Sequence, residues 1–183
     1  AIHFEPMMDV GGDIYDIHEY SNGKSRFLIA DATGHGVQAA LSTMLIKSEY
    51  ERYKQIELSP SDTLKEFNDD YYERYINLHC YFTCFLLDID HYKNEIIYSS
   101  GGHPRQVFIS ENGLEFLATK GAIIGVFPDR IYSENKKNIK KGDKILLFSD
   151  GLAETLNEAD EFLGTDRLFT IIKKHKERSI SDM

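Results

Sequence analysis

The stretch Asp31-Ala32-Thr33-Gly34-His35-Gly36 places the strongest constraint on how this chain can fold. It follows the apolar run Phe27-Leu28-Ile29-Ala30, which predicts a buried strand, and it precedes residues 37–53, which predict a long helix. An acidic residue thus stands at a strand end, the glycines permit a sharp turn, and the first N–H groups of the helix can face an anion. The stretch suits a site for metal and phosphate, although an Asp before a glycine-rich turn is more often ordinary turn chemistry.

A predicted β-hairpin brings a second aspartate to the same end of the sheet. Residues 14–20 and 26–30 have strand character, and Asn22-Gly23 between them is a hairpin signal. A three-residue loop with Gly23 in the left-handed conformation would set Asp13 directly opposite Asp31. A two-residue turn would instead pair Asp31 with Ile14, unless a bulge intervenes. Carboxylates this close repel each other, and a bound cation would remove that cost. The alternative is one carboxylate on each face of the sheet, both solvated.

A third acid follows another apolar run. Residues 144–149 predict a central strand that ends at Asp150-Gly151. Magnesium and manganese prefer such oxygen ligands, and two ions about 3.5–4 Å apart can activate a bridging water and clamp a phosphoryl group. The three acids Asp13, Asp31 and Asp150 therefore favour hydrolysis of a phosphoester without a nucleophilic side chain. Ser149 is not surrounded by a nucleophile-elbow sequence, so covalent serine chemistry is not expected.

The remaining elements predict an α+β fold with mixed antiparallel sheets covered by helices. The first helix, residues 37–53, is expected to bury Val37, Leu41, Met44 or Leu45, and Ser48. The second begins at Ser59-Pro60, which is a capping sequence, and has an apolar stripe. That stripe is Leu64, Phe67, Tyr71, Tyr75 and Leu78. Further strands are predicted at 81–89, 95–100, 106–109, 114–117 and 131–134. A last helix is predicted at 166–174, with Leu168, Phe169 and Ile172 facing inward.

Length and composition limit the class of protein. With 183 residues, 42% of them apolar, the chain fits one globular domain spanning residues 1–183. It starts at Ala1 and both ends look cut, so we expect a domain excised from a larger protein. No apolar run approaches about 18 residues and no signal peptide is present at the start, so we expect a cytoplasmic location without membrane contact.

The net charge limits the kinds of binding partner, and the cysteine content indicates the cellular compartment. The net charge of −9 argues against nucleic acid or an anionic membrane as the main partner. The basic segment 136–144 is interpreted as a solvated face or an edge strand guarded by lysines. Cys80 and Cys84 are expected on one face of a strand, about 13 Å apart, which is too far for a disulfide. No further cysteine completes a zinc set, so the sequence predicts two buried thiols in a reducing compartment.

Four motifs resemble the signatures of metal-dependent PPM-type protein phosphatases. The resemblance is closest to the bacterial branch named for stage II sporulation protein E (SpoIIE) and RsbU, and it covers nearly the whole chain. It implies two antiparallel sheets sandwiched between helices, an αββα arrangement. It also implies removal of phosphate from phosphoserine or phosphothreonine of a partner, often a STAS-domain anti-anti-sigma factor. The motifs are Gly11-Gly12-Asp13-Ile14-Tyr15-Asp16, Asp31-Ala32-Thr33-Gly34-His35-Gly36, Gly101-Gly102-His103-Pro104 and Ser149-Asp150-Gly151-Leu152-Ala153-Glu154.

The resemblance implies metal-binding roles for four residues. Asp13, Asp31 and Asp150 would be ligands of two Mn²⁺ or Mg²⁺ ions, with Asp31 placed to bridge them and the backbone carbonyl of Ala32 as a further ligand. The helices at 37–53 and 59–78 resemble the pair through which regulators act on these enzymes.

Three nearby residues are less directly implied. Asp16 lies three positions along the strand from Asp13 and so faces the other way. Its alternatives are a further role in the site, less directly implied than that of Asp13, and a simply exposed position. His35 either hydrogen-bonds near the site or caps the helix. His103, before Pro104, is interpreted as a turn residue rather than a catalytic one.

One departure from the family pattern affects the expected activity. The family usually ends with a strand that carries an Asp-Asp-x-Thr-like motif, whose Asp is a further metal ligand. This chain stops at Ser181-Asp182-Met183, with no apolar strand after Asp182. Either that segment has been removed or the second metal site is incomplete, so we expect weaker metal binding and little activity.

The leading hypothesis is a manganese- or magnesium-dependent phosphoprotein phosphatase with a phosphorylated protein substrate and an upstream sensor domain in the full-length protein. A homodimer is compatible with it. The alternative is a non-catalytic module of the same fold that binds its partner. A third interpretation takes Gly11-Gly12-Asp13 as part of a nucleotide-cyclase signature, Gly-Gly-Asp-Glu-Phe, but Ile14 and Tyr15 follow here.

Overall fold

The computed structural model describes residues 1–5, 11–34 and 36–179. The chain divides into two compact units, a larger one (Glu5–His103 and Ala118–Lys140) and a smaller one (Ala1–Phe4, Pro104–Leu117 and Lys141–Met183). The elements, in chain order, are β1 (Asp13–Glu19), β2 (Lys24–Ala32), α1 (Gly36–Tyr53), α2 (Pro60–Tyr75), β3 (Phe82–Asp90), β4 (Glu95–Gly101), β5 (Gln106–Ser110), β6 (Gly113–Leu117), β7 (Glu134–Asn138), β8 (Lys144–Leu146) and α3 (Thr165–His175), with 3₁₀ turns at Ile76–Leu78 and Asp150–Leu152.

Both sheets are antiparallel, which confirms the predicted α+β class. The larger unit has five strands in the order β1-β2-β3-β4-β7, and the smaller unit has three in the order β6-β5-β8. None of the helices built from the described residues combines the length and apolar character needed to cross a bilayer.

One face of the five-stranded sheet packs against α1 and α2. Phe67 of α2 lies 5.2 Å from Phe82 of β3, measured between ring centroids. Apolar side chains from alternate positions of β2 and β3 meet both helices there, and their burial stabilises the larger unit. This core includes Leu28, Ala30, Ala32, Ile46, Tyr50, Leu64, Phe67, Tyr71, Phe82, Cys84 and Leu86.

The hairpin between β1 and β2 has a three-residue loop, Ser21-Asn22-Gly23. The N–H of Tyr20 donates to the carbonyl of Lys24 at 2.8 Å, and Gly23 has φ +76°. A residue with a side chain is disfavoured at that φ, which explains the glycine. The register follows from the loop length: Asp13 pairs with Asp31, which is the first of the two registers that the sequence left open.

The buried face of α1 differs from the predicted one. Val37, Leu41 and Met44 are 76%, 58% and 68% exposed, and Ser48 is exposed as well. Leu45, predicted as the alternative to Met44, is half-buried and packs against the core. The helix instead buries a face of small, polar and apolar residues: Ala39, Ser42, Thr43, Ile46, Glu49, Tyr50 and Tyr53. Ser42 and Thr43 can be buried because their hydroxyls donate to carbonyls of their own helix, Gln38 O and Ala40 O. Apart from Leu45, apolar periodicity therefore selected exposed positions.

The start and stripe of α2 agree with the sequence. Ser59 Oγ accepts a hydrogen bond from the N–H of Asp62 at 3.2 Å, and Pro60 occupies the first turn. Leu64, Phe67 and Tyr71 are buried. Leu78, the last predicted member of the stripe, lies beyond the helix and is 53% exposed.

In the smaller unit, the apolar run at 144–149 does not form a central strand. Only Lys144–Leu146 is a strand, at the edge of its sheet, and β5 is central. Beyond it, the buried amide of Gln106 takes the place of a neighbouring strand: its Oε1 accepts from Phe148 N–H at 2.6 Å and its Nε2 donates to Phe148 O at 3.0 Å. Leu168 and Ile172 of α3 are buried with Phe148, and Phe169 packs against the same cluster, as expected.

The strand predicted at 131–134 lies further along the chain. It is β7, Glu134–Asn138, at the edge of the larger sheet beside β4, whereas Ile131 is 86% exposed. Lys136 and Lys137 lie on this edge, which confirms that part of the basic segment is a lysine-bearing edge strand.

Candidate metal and phosphate site

Two aspartates stand side by side at one end of the larger sheet. Asp13 begins β1, and Asp31 lies directly opposite it in β2. Directly opposed residues of an antiparallel pair share a face, with Cβ atoms about 4.5–5.5 Å apart. Both are only partly exposed, and Oδ1 of Asp13 is buried. The alternative of two solvated carboxylates on opposite faces is therefore wrong. A divalent cation would offset the repulsion between them.

Gly12 packs closely against the end of β2. The N–H of Ala32 donates to Gly12 O at 2.9 Å. A Cβ at Gly12 would lie 3.0 Å from Ala32 O and 3.3 Å from Oδ1 of Asp31. The carbonyl of Ala32 and the carboxylate of Asp31 thus approach the same glycine. Two carboxylates and a backbone carbonyl are the hard oxygen donors that Mg²⁺ and Mn²⁺ take, so the donor set fits the implied ion.

Asp150 lies in the smaller unit, whereas Asp13 and Asp31 lie in the larger one. It opens the 3₁₀ turn Asp150–Leu152, is exposed, and accepts from the N–H groups of Ala153 and Glu154 through its backbone carbonyl. Among residues 1–5, 11–34 and 36–179, no group of three or more His, Cys, Asp or Glu is arranged to hold a metal. The role of Asp150 as a third ligand stays a prediction.

Asp16 is not an exposed residue, so that alternative from the sequence is wrong. It is 8% exposed and forms ion pairs with Lys47 and Lys54 of α1. It does face away from Asp13, as its odd spacing requires, and that face is the one the helices cover. Asp16 therefore ties β1 to α1.

His103 is the residue whose position the sequence anticipated least. It follows the turn after β4, as predicted, but it is only 7% exposed. Its Nδ1 lies 2.7 Å from Oγ1 of Thr83, and Thr83 is the residue of β3 directly opposite Asp31. Thr83 was not singled out by any motif, and only the pairing of β2 with β3 identifies it. His35, the predicted cap or hydrogen-bonding residue, and Asp182 lie outside the described residues.

The strand that carries Asp31 is anchored by a fully buried arginine. Nε and Nη2 of Arg26 donate to the two carboxylate oxygens of Asp88 at 2.6 and 2.7 Å. The remaining donors reach Thr63 Oγ1 at 2.9 Å and Leu58 O at 2.6 Å. Burial by itself lowers the pKa of the Arg26 guanidinium, but the hydrogen bonds and charge of Asp88 raise it above its usual value. The arginine therefore stays charged and joins β2 to β3 and to the start of α2.

The chain matches a family model and longer relatives. The model for stage II sporulation protein E (SpoIIE) matches residues 21–183. The phosphoserine phosphatase RsbU of Bacillus subtilis (strain 168) is 30% identical over 181 residues, which cover 97% of this chain and 53% of RsbU. The chain spans about half the length of the curated relatives it matches.

Solved structures share the fold. The SiaA-PP2C domain of Pseudomonas aeruginosa superposes with a TM-score of 0.82 at 22% identity, covering 97% of this chain and 71% of that one. RsbX in complex with magnesium superposes with a TM-score of 0.65 at 18% identity, covering 93% and 83%. At these identities the likeness extends to the fold alone.

Proposed function

Because the chain belongs to the SpoIIE family of PPM-type phosphatases, we propose that it is a metal-dependent phosphoprotein phosphatase. The proposed reaction is hydrolysis of phosphoserine or phosphothreonine on a signalling protein. The observation that carries the proposal is the pair Asp13 and Asp31, opposed on one face of the sheet beside Gly12. The name of RsbU, a phosphoserine phosphatase, supports the same reaction class.

We assign the metal ligands as Asp13, Asp31, the carbonyl of Ala32 and, from its shared motif, Asp150. The magnesium in the RsbX structure supports Mg²⁺ or Mn²⁺ as the ion. When bound, such an ion polarises a phosphoryl oxygen and lowers the pKa of water. The paired carboxylates alone would repel a phosphate dianion, so substrate binding should require the cation. From its motif, Asp31 would be the ligand shared by two ions, with Asp13 directly opposite it in the sheet.

The partner and location follow as part of the proposal. We propose a phosphorylated STAS-domain protein as the substrate and an upstream sensor domain as the source of regulation, with a homodimer as a compatible assembly. Cys80 is half-buried and Cys84 is buried, and both are free thiols, which supports a reducing, cytoplasmic compartment.

The test compares the parent protein with Asp31→Asn and with Asp160→Asn as a matched control. Asp160 is an exposed turn residue at φ +57°, a conformation that asparagine tolerates well, so the control changes the same functional group outside the site. Phosphate release from a phosphoserine protein is measured with added Mn²⁺, and Mn²⁺ binding by calorimetry.

We expect Asp31→Asn to lower release at least about 100-fold and to weaken Mn²⁺ binding, because the carboxylate is a proposed ligand. Asp160→Asn should behave like the parent. Equal, metal-independent release by the parent and Asp31→Asn would refute the proposal. Absence of both Mn²⁺ binding and release in the parent would favour a non-catalytic module.

A further inference from the structure

The motif Gly101-Gly102-His103-Pro104 has no part in the proposed metal site, yet the fold brings it to the aspartate pair. Asp13, Asp31 and Thr83 are directly opposed across β1, β2 and β3 and so lie in one row on one face of the sheet. His103 contacts the last member of this row through a 2.7 Å hydrogen bond between Nδ1 and Thr83 Oγ1. Thr83 thus stands between the imidazole of His103 and Asp31.

The backbone around His103 is held firmly. Its N–H donates to Ser100 Oγ at 3.1 Å, and the same hydroxyl donates to its carbonyl at 3.2 Å. Gly102 has φ +72°, and a Cβ there would lie 2.7 Å from a side-chain carbon of Ile123. Ile123 therefore packs directly on the turn. A ring fixed both at Nδ1 and through its backbone is preorganised, which is what a substrate-contacting group needs.

The chemistry of the row is incomplete without a donor. Ionised Asp13 and Asp31 are hydrogen-bond acceptors only, and the oxygens of a phosphoryl group are acceptors as well. The two carboxylates therefore cannot hydrogen-bond to a phosphoryl group. When the hydroxyl of Thr83 donates to Nδ1, the neutral imidazole carries its proton on Nε2, which then acts as a hydrogen-bond donor. A nitrogen donor beside paired carboxylates complements a phosphate held there by a cation.

We propose that His103 contacts the substrate of the proposed phosphatase and donates a hydrogen bond from Nε2 to the phosphoryl group, while Thr83 is the positioning residue that orients the ring. The inference rests on the proposed function and extends it by assigning residues for phosphate recognition. It differs from a purely structural role, in which the ring would hold its protein neighbours in place and would never meet the substrate.

The experiment separates the two ring nitrogens. The amide of His103→Asn lies near the position of Nδ1, so it keeps a partner for Thr83 but lacks the Nε2 donor. The amide of His103→Gln reaches the position of Nε2 and restores a donor. Thr83→Val removes the hydroxyl at nearly constant shape, and Thr83→Ser retains it. Each variant is assayed for kcat and KM with a phosphoserine peptide, for Mn²⁺ affinity by calorimetry, and for its unfolding midpoint.

We expect His103→Asn to lower kcat/KM at least about tenfold, mainly through KM, with Mn²⁺ affinity unchanged. His103→Gln should recover most of that loss. Thr83→Val should lower kcat/KM by about three- to tenfold, and Thr83→Ser should restore it. Parent-like kcat/KM in His103→Asn, or losses that follow only the unfolding midpoint, would overturn the inference and leave the phosphatase proposal standing.

Binding of the same peptide is measured alongside turnover, by the ring ¹⁵N resonance of His103 in the Mg²⁺-loaded protein. The resonance is assigned by its absence from His103→Asn; a shift on peptide addition to the parent supports the contact, and an unchanged resonance overturns it. This readout does not depend on turnover, so it decides the inference even for a parent protein that releases no phosphate.

Discussion

At the scale of single residues, Gly12 controls the distance between the two strands that carry the aspartate pair. A Cβ there would be 3.0 Å from Ala32 O, 3.3 Å from Asp31 Oδ1 and 3.5 Å from Ala39 Cβ. Contacts as short as the first two force a neighbour to move by a few tenths of an ångström. Both of the crowded oxygens are proposed metal ligands, so the cost of a side chain should appear in metal binding.

We predict that Gly12→Ala weakens Mn²⁺ binding by about tenfold, since misplaced ligands cost affinity even when their chemistry is kept. Titration calorimetry measures the effect. Gly142→Ala is the matched control: its φ of +102° strains an alanine, but nothing lies within 4 Å of the added Cβ. That variant should lose about 1 kcal/mol of stability and keep its Mn²⁺ affinity. Parent-like affinity in Gly12→Ala would contradict the assigned ligands.

At the scale of secondary-structure elements, the two faces of α1 make a direct test of the corrected burial. Leu41 is 58% exposed, whereas Ile46 has no exposed surface. We predict that Leu41→Ala changes the free energy of unfolding by less than about 0.5 kcal/mol. Ile46→Ala, on the other face, should cost about 2–5 kcal/mol because it leaves a cavity. Urea unfolding measures both, and a larger loss in Leu41→Ala would restore the face that apolar spacing indicated.

The contact between α1 and α2 combines aromatic packing of Tyr50 and Tyr53 on Phe67 with a buried charge. Glu49 of α1 is 6% exposed and accepts from Arg74 at 2.6 Å, Tyr75 at 2.8 Å and Arg52 at 2.9 Å. Burial by itself raises the pKa of the Glu49 carboxyl, but these three hydrogen bonds outweigh it and the net pKa is lowered. The carboxylate is therefore the form that joins the two helices.

We predict that Glu49→Gln lowers the free energy of unfolding by about 2 kcal/mol at pH 7. Because the folded-state pKa lies below the ordinary 4.5, the contribution of Glu49 is fully present above about pH 4.5 and is lost as pH falls through the lower folded value. The stability difference between parent and variant should therefore shrink at acid pH. A pH-independent difference in denaturant unfolding would contradict this.

At the scale of the whole molecule, Arg26 is a single point on which several elements of the larger unit depend. It has no exposed surface and bonds to residues of β3, of α2 and of the segment before α2. We predict that Arg26→Met destabilises the protein by about 3–5 kcal/mol, because the Asp88 carboxylate is left buried without its partner. The double variant with Asp88→Leu should recover much of that loss in denaturant unfolding. A loss below about 1 kcal/mol in the single variant would show that the ion pair is dispensable.

The sequence predicted most strongly where a local rule decides the outcome. Asn22-Gly23 correctly predicted the hairpin between β1 and β2, and Ser59-Pro60 correctly predicted where α2 begins. It failed where a distant partner decides. Which face of α1 is buried depends on its packing against the sheet. The strand that begins at Lys144 ends early, where the side chain of Gln106 binds the backbone of Phe148. Thr83 and its contact with His103 could not be found locally, since strand pairing alone brings them to the site.

The three-residue loop at Ser21–Gly23 has a consequence for how this protein can vary. Surface turns usually tolerate changes of length. Here the loop length sets the register of β1 against β2. A register shift of one residue would move Asp13 to the helix-covered face of the sheet. Insertions or deletions of one residue at this exposed tip should therefore disable the distant acidic pair. Changes of two residues should keep Asp13 on the same face of the sheet as Asp31.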